Sequence, residues 1–348
     1  MEAGNGNKAP VFSIVVPVYN AKKFLEKSLG SILAQTFSDF ELILVNDASA
    51  DGSLTICKKY AALDHRIVLI DCPENHGAAE ARNWGIKAAK GCYLCFVDAD
   101  DYVEPDFLAR FYETLQSDDY DFIKCGAYEE YYDMDEKPIY TKACILPDKA
   151  FFGIKAVLDQ VVDMEQIPLF GYNWNSVYRM DIIKERHLRF DKAMRVNEDF
   201  VFNMAYLPFI RKMRCLSYCG YHYIKRNSGS LSYQKGYYDY EKRLLKVRSF
   251  LSFLKESQNE TQVNLDKVYW MFTRCSFSAL EWDTSMEKVR KDPIYVAYRK
   301  HCFGPVGLKK KILIAVLQSN HSFLIKPIVW LMGFVQQYFP VLFAKIKR

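Results

Sequence analysis

The sequence predicts an α/β fold: a mostly parallel sheet flanked by helices, with a helical C-terminal extension. Three observations carry that expectation. Through the first hundred residues, short apolar runs alternate with segments of helical apolar spacing, the pattern of strands joined by crossover helices. Polar residues punctuate the carboxyl ends of these runs, at Tyr19-Asn20, Asp47 and Asp98. Beyond about residue 241 the strand-like runs cease and helical spacing persists. With 348 residues, 50% of them hydrophobic, the chain can bury the core of one large domain or of two smaller ones.

In order, Phe12-Ser13-Ile14-Val15-Val16-Pro17-Val18 reads as a buried strand, and residues 21–34 read as a helix. Phe40-Glu41-Leu42-Ile43-Leu44-Val45 is a second strand, ending in Asn46-Asp47. A helix is expected over 53–63, a strand over 66–70, a helix over 78–89 halted before Gly91, and a strand over 93–97 that delivers Asp98. Open parallel sheets bind ligands beyond the carboxyl ends of their strands, so the three polar clusters should meet in one cleft. From 107 to 240 the pattern is mixed, with strands over 121–127 and 218–225, a helix over 200–206 and aromatic-rich loops. The resulting division is a domain over 1–240 and a helical region over 241–348. No repeat or low-complexity segment is present.

The net charge of +5 is concentrated, because residues 301–348 hold seven Lys or Arg and no Asp or Glu. That distribution argues against a chain-wide nucleic-acid surface and for a local anionic partner. The ten cysteines lie in apolar segments with no secretory signal ahead of them, and are expected to be reduced and cytosolic. Cys92 and Cys95 alternate faces in a strand, with no second pair spaced for zinc, so they read as buried structural thiols.

Asp98-Ala99-Asp100-Asp101 places three carboxylates at a strand end. Mg²⁺ or Mn²⁺ relieves such repulsion, taking oxygen ligands shared with substrate phosphates. Alternatively, Asp100-Asp101 caps a helix starting near Val103-Glu104-Pro105.

The order of motifs resembles the family 2 glycosyltransferases, inverting enzymes of the Rossmann-like GT-A fold that build bacterial polysaccharides. The resemblance covers about residues 10–235. It is carried by Val15-Val16-Pro17-Val18-Tyr19-Asn20, by Val45-Asn46-Asp47-Ala48-Ser49-Ala50-Asp51-Gly52-Ser53, by Asn75-His76-Gly77 with Ala81-Arg82-Asn83, by the Asp98–Asp101 cluster, and by Asn197-Glu198-Asp199. It implies a nucleotide-sugar half over about 10–105 and an acceptor half over about 106–240.

By this resemblance Asp47 accepts the imide N–H of uracil, Pro17 and Tyr19 wall the base, and Asn20 and Asn75 belong to the nucleotide site. Asp47 also suits a turn. Gly77 lets backbone approach a ligand, and Arg82 steadies the phosphates or the carboxylates. Asp98 meets the ribose or a metal-bound water, Asp100 ligates the divalent metal directly, and Asp101 completes the shell or caps the next helix. Asp199 matches the family's base, supported by Glu198; the bland alternative is that Asn197-Glu198-Asp199 opens a helix. Tyr221-His222-Tyr223-Ile224-Lys225-Arg226 with Gly229-Ser230-Leu231-Ser232 resembles the segment that closes over the diphosphate. The family's arginine after the second tyrosine is Ile224 here, which leaves His222, Lys225 and Arg226 as the cations for the phosphates. Trp174-Asn175 either lines the acceptor pocket or belongs to the core.

The implied reaction moves a sugar from a nucleotide sugar, a UDP-sugar above all, to a hydroxyl of a glycan or lipid-linked glycan. In the tail, Lys309-Lys310-Lys311, the interrupted apolar stretch 323–343 and Lys345-Ile346-Lys347-Arg348 read as interfacial helices on an anionic membrane, or as a helical cap or dimer interface. The location expected is cytoplasmic, at the inner face of the cell membrane. A sugar nucleotidyltransferase is disfavoured because no glycine-rich loop follows the first strand, and a non-catalytic scaffold because every carboxylate of the motifs is present.

Overall fold

In the computed structural model, β1 (Phe12–Val18) is followed by α1 (Lys22–Leu33), β2 (Phe40–Asp47), α2 (Ser53–Leu63), β3 (Ile67–Cys72), α3 (Ala78–Ala88) and β4 (Tyr93–Phe96). The structure describes residues 9–133, 135–226, 240–282, 285–319 and 327–328. These four strands pair in parallel, with Phe12 opposite both Phe40 and Tyr93, and Leu42 opposite Ile67. β2 is buried at every position, which is why it reads as one apolar run rather than an alternation. α1 turns Leu25, Ser28, Leu29 and Ile32 inward at three- and four-residue spacing. α3 rides so close on β1 that a Cβ on Gly85 would stand 2.2 Å from the Val15 side chain.

The chain continues through β5 (Tyr102–Val103), α4 (Phe107–Ser117), β6 (Phe122–Tyr132), β7 (Pro138–Cys144), β8 (Lys149–Phe152), α5 (Gly153–Gln166), β9 (Ser176–Arg179), α6 (Met180–Glu185), α7 (Glu198–Tyr206) and β10 (Lys212–Arg226). One sheet results, in the order β3-β2-β1-β4-β9-β6-β10-β5, with β7 on β6 and β8 on β10. β9 is antiparallel to both β4 and β6 and so joins the parallel half to the mixed half.

Two expectations change. The strands placed at 121–127 and 218–225 are segments of longer ones, because β6 and β10 pair with each other along nearly their full length, through two irregularities between Leu216 and Tyr221. No helix starts at Val103: Tyr102 and Val103 pair with His222 and Tyr221 instead, and α4 begins four residues later. Asp100 and Asp101 are therefore not its cap.

The chain divides into two compact units, Met1–Ser230 and Leu231–Arg348. The second contains α8 (Tyr240–Glu256), α9 (Gln262–Trp282), α10 (Met286–Lys291), α11 (Pro293–Lys300) and α12 (Leu308–Gln318). Leu244, Val247, Phe250 and Leu254 form the buried stripe of α8. The side chains of Ser285 and Asp292 accept N–H bonds at the starts of α10 and α11. Among the described residues no helix is long and apolar enough to cross a membrane. The expected segments 229–232, 323–326, 329–343 and 345–348 lie outside the described residues. All ten cysteines are free thiols, and Cys92, just ahead of β4, is exposed rather than buried.

Candidate active site

Asp47, the last residue of β2, is 2% exposed. Its Oδ1 accepts from the backbone N–H of His76 at 2.8 Å. Its Oδ2 accepts from the Asn75 amide at 3.0 Å and the Gly77 N–H at 2.8 Å. Asp47 thus stitches the β2 end to the loop ahead of α3. Gly77 sits at φ +90° with no protein atom within 4 Å of its missing Cβ, so its backbone conformation by itself favours glycine. Around the β1 end, Asn20 Oδ1 accepts from Ala50 N–H, Ser49 Oγ accepts from Asn20 N–H, and Asp51 accepts from Lys22 N–H and Ser53. Asn20 and Asp51 are braces between the first two strand ends. Beside them, Tyr19 is 55% exposed and Pro17 half-buried.

The centre of the site is Arg82 of α3, whose side chain is 5% exposed. One Nη contacts Asp98 at 3.0 Å, and the other contacts Glu198 at 3.2 Å and Asp199 at 3.1 Å. Burial opposes the charge on this guanidinium, but Asp199, Asp98 and Glu198 outweigh it and hold the group firmly protonated. Its Nε is buried without a partner among the described residues. Glu198 and Asp199 occupy the first turn of α7, where the helix dipole favours anions. Asn197, just before them, adopts φ 63° and makes no side-chain cap bond. Opening a helix and facing Arg82 are thus compatible roles for these residues.

Asp199 is 16% exposed in its side chain and accepts a hydrogen bond from the Asn173 amide at 3.0 Å. Its carboxyl is held well above the usual range, chiefly by burial; Arg82 opposes this, and the charges of Glu198 and Asp98 reinforce it. Asn173 Oδ1 is itself buried without a partner among the described residues.

Of the three clustered aspartates, Asp101 is buried, accepting from Tyr221 Oη and Ile224 N–H, both at 2.8 Å. Burial, then Asp100 and Asp98, raise its pKa. Tyr221 Oη also accepts from Asp98 N–H at 3.1 Å, so this tyrosine locks β10 to the turn after β4. Asp100 points outward with half its side chain exposed. The protein around it still strips enough water from the carboxyl to lift its pKa, with Asp98 adding and Arg226 subtracting, to about 6.

Arg226 reaches Asp100 at 3.3 Å and lies over the Phe24 ring. The other two cations face elsewhere. His222 has both ring nitrogens on carboxylates, Glu130 and Glu104, and Lys225 pairs with Glu129 at 2.6 Å. Trp174 and Asn175, at 1% and 0% exposed, do not line a pocket: Trp174 is stacked between Tyr221 and Tyr172, which settles the open alternative in favour of the core. A polar hollow of about 470 Å³ does open elsewhere, lined by Asp119, Asp121, Arg179 and Lys212 among others. It lies toward the amino ends of β6 and β10, and its Arg179 is already paired to Asp119, Asp121 and Asp181.

The family model described as glycosyl transferase family 2 matches residues 13–185. The putative glycosyltransferase EpsH of Bacillus subtilis (strain 168) is 30% identical over 324 residues, which span 88% of this chain and 91% of EpsH. The chain belongs to the family 2 glycosyltransferases. The uncharacterized glycosyltransferase EpsJ of the same strain is 34% identical over 223 residues, 64% of this chain and 63% of EpsJ. Among solved structures, TarS 1–349 of S. aureus has a TM-score of 0.59 at 20% identity, covering 83% of this chain and 79% of that one. Its complex with UDP-GlcNAc scores 0.57 at 19% identity, covering 87% and 78%. At such identities the likeness speaks for the fold, which is GT-A.

Sequence reasoning missed several supports of this glycosyltransferase site. Asn173 carries no motif signature of its own, and Tyr221, though it opens the segment resembling the diphosphate closure, gives no sign in sequence that its hydroxyl meets Asp98 and Asp101. Lys124 of β6 is fully buried, donating to Tyr172 O, Asn175 Oδ1 and Ser176 Oγ at 2.7–2.8 Å. Burial pushes its amine down to about 7. A lone Lys within Phe122-Ile123-Lys124-Cys125 is the available signal, since a strand interior admits a lysine only where acceptors await it.

Proposed function

We propose that this glycosyltransferase moves a sugar from a UDP-sugar to a hydroxyl of a glycan or lipid-linked glycan, with inversion, in the building of a bacterial cell-surface polysaccharide. The observation that carries the reading is Arg82, one buried cation that gathers Asp98 from the donor-side cluster and Glu198 and Asp199 from α7. In our reading Asp199 takes the proton from the acceptor hydroxyl, its raised pKa making it a stronger base than an ordinary carboxylate. Glu198 and Arg82 orient it, and Asn173 fixes one of its oxygens.

On the donor side, Tyr19 and Pro17 wall the base. Asp47 Oδ1, which carries one protein hydrogen bond, retains acceptor capacity for an imide N–H. Arg226 and Arg82 supply positive charge for the diphosphate. UDP-GlcNAc and UDP, bound by TarS, guide the choice of UDP.

The carboxylates also fit a divalent metal. Four of them, Asp98, Asp100, Glu198 and Asp199, share two guanidinium groups, and Asp98 adds to the rise in the pKa of Asp100. Asp101 is consumed by Tyr221 and Ile224, and among the described residues no three ligand-type side chains converge on one point. Asp100, with Asp98, would hold Mn²⁺ or Mg²⁺, the remaining positions falling to water and diphosphate oxygens as is usual for these ions. The metal supplies Lewis-acid stabilisation of the charge left on the nucleotide. Calorimetric titration of UDP, GDP, TDP and CDP, with Mn²⁺ or chelator, on wild type and Asp100→Ala tests this. UDP binding that needs both metal and Asp100 is expected; nucleotide binding indifferent to both would overturn it.

We also place the α12 region against an anionic membrane at the inner face of the cell membrane. Lys309, Lys310 and Lys311 are exposed there, next to Leu308 at 74% and Ile312 at 48% exposure, a pairing suited to headgroups and acyl boundary. Truncation after Leu308 should abolish flotation with anionic vesicles; unchanged flotation refutes the assignment.

A further inference from the structure

We propose that Tyr172, Tyr223, Tyr131 and Tyr140 form one strip that binds a pyranose oligosaccharide, which as the acceptor glycan would run outward from Asp199 along β10, β6 and β7. Its role as the acceptor site rests on the glycosyltransferase reading above; its affinity for sugar does not.

The strip follows from register. Tyr223 stands beside Glu129 and Lys225 beside Tyr131 in the parallel β10–β6 pair. Tyr131 faces Tyr140, and Glu129 faces Lys142, across the β6–β7 pair. Paired residues share a sheet face and strand neighbours alternate, so all six side chains are on one side of the ribbon. The four tyrosine side chains are half-buried. Tyr172 and Tyr223 lie with ring centroids 5.4 Å apart. The Lys225 ammonium is 5.2 Å from the Tyr223 ring and 5.1 Å from the Tyr131 ring, and Tyr131 and Tyr140 stack at 4.2 Å. The inner end is joined through the backbone to the partner of the proposed base, because Tyr172 immediately precedes Asn173, which bonds Asp199.

Two ring pairs separated by a cation give two platforms, which calls for an occupant of at least two sugars. A pyranose offers a C–H face to an aromatic ring and a rim of hydroxyls to neighbouring charges. Lys225, Glu129 and Lys142, already joined to one another, provide such charges between and beside the rings. The strip also lies on the opposite face of β10 from Arg226, since 223 and 225 alternate with 226.

Saturation-transfer NMR on the full-length protein, with methyl β-D-glucoside, cellobiose and di-N-acetylchitobiose as probes, tests the strip. Transfer to the ring C–H protons of the disaccharides is expected to exceed that to the monosaccharide. Tyr140→Ala and Tyr131→Ala should each weaken disaccharide binding roughly five-fold, as loss of one aromatic platform implies, while Tyr131→Phe, which keeps the ring, should bind as wild type. If Tyr131→Ala fails to fold, Tyr140→Ala with Tyr131→Phe decides alone. No transfer to any probe, equal transfer to one and two sugars, or indifference to loss of the rings overturns the proposal. UDP release from UDP-GlcNAc, UDP-glucose and UDP-galactose, measured on the same wild-type protein, separates the two readings: its absence would count against the donor assignment while leaving the sugar-contact result to stand or fall by itself.

Discussion

Asp47 and Asp199 are both carboxylates drawn into the site, but their surroundings are built differently. The partners of Asp47 come from 28 to 30 residues downstream, and two of the three are backbone N–H groups. Those of Asp199 are side chains: Asn173, and Arg82, which also reaches Glu198 across 116 residues. Backbone donors arrive with the fold and survive most substitutions, whereas an assembly of side chains around one guanidinium stands or fails together. The proposed donor side is therefore set by the βα units themselves, and the proposed acceptor side by a single buried ion network.

The largest effect that would sharpen this contrast is chemical. Asp199→Asn should reduce transfer by roughly a thousand-fold, as loss of a general base implies, with nucleotide binding by calorimetry little changed. The wild-type rate should rise with pH, because only the ionised carboxylate accepts a proton and burial has raised its pKa; a rate flat from pH 5 to 9 would remove Asp199 from that role.

Next is Arg82→Met, which leaves Asp98, Glu198 and Asp199 without their shared cation. A loss of about 3 kcal/mol or more is expected in denaturant unfolding, and a loss within experimental error would break the claim that the acceptor side hangs on this residue. Asp47→Asn is milder. An amide cannot accept from all three protein donors, so about 1–3 kcal/mol of unfolding free energy should be lost, and the loss of an acceptor for the base should lower UDP affinity about ten-fold; a stability loss with UDP affinity unchanged would make Asp47 a folding residue and no more.

The smallest effect is a trend. The pKa of Asp100 rises from 3.8 to about 6 on folding, so between those values the folded chain binds more protons than the unfolded one, and the contribution of this group to stability declines as pH rises. Asp100→Asn should therefore raise the melting temperature increasingly from pH 4 to 6, then level off. Mn²⁺ should narrow the gap by stabilising the wild type, and a gap independent of pH would contradict the assignment.

How much of this was legible follows the same division. The first four strands and their helices stand within a few residues of where periodicity puts them, because each is specified by its own apolar run and turn. Asp47 and Asp98 stand out by type and position at strand ends, whereas Arg82 and Asp199 stand out through the motifs that resemble the family. The mixed half was less readable: β10 becomes a 15-residue strand only because β6 and β8 offer it partners, which local pattern does not encode. Asp101 illustrates the limit best. Its neighbour Asp100 has the same chemistry, and only the arrival of Tyr221 and the Ile224 N–H, more than a hundred residues downstream, turns one aspartate into a brace and leaves the other facing outward.

Lys124 makes this architecture open to timing. Its amine is shut away under residues 172–176 with three acceptors and no exposure, and its lowered pKa belongs to that burial, so an acylating reagent reaches it, as an ordinary lysine amine, only when the cover opens. Acylation at this one position, followed by mass spectrometry, therefore works as a clock for openings of the segment that carries Asn173, and its slowing when nucleotide is added would show that filling one side of the cleft stills the other.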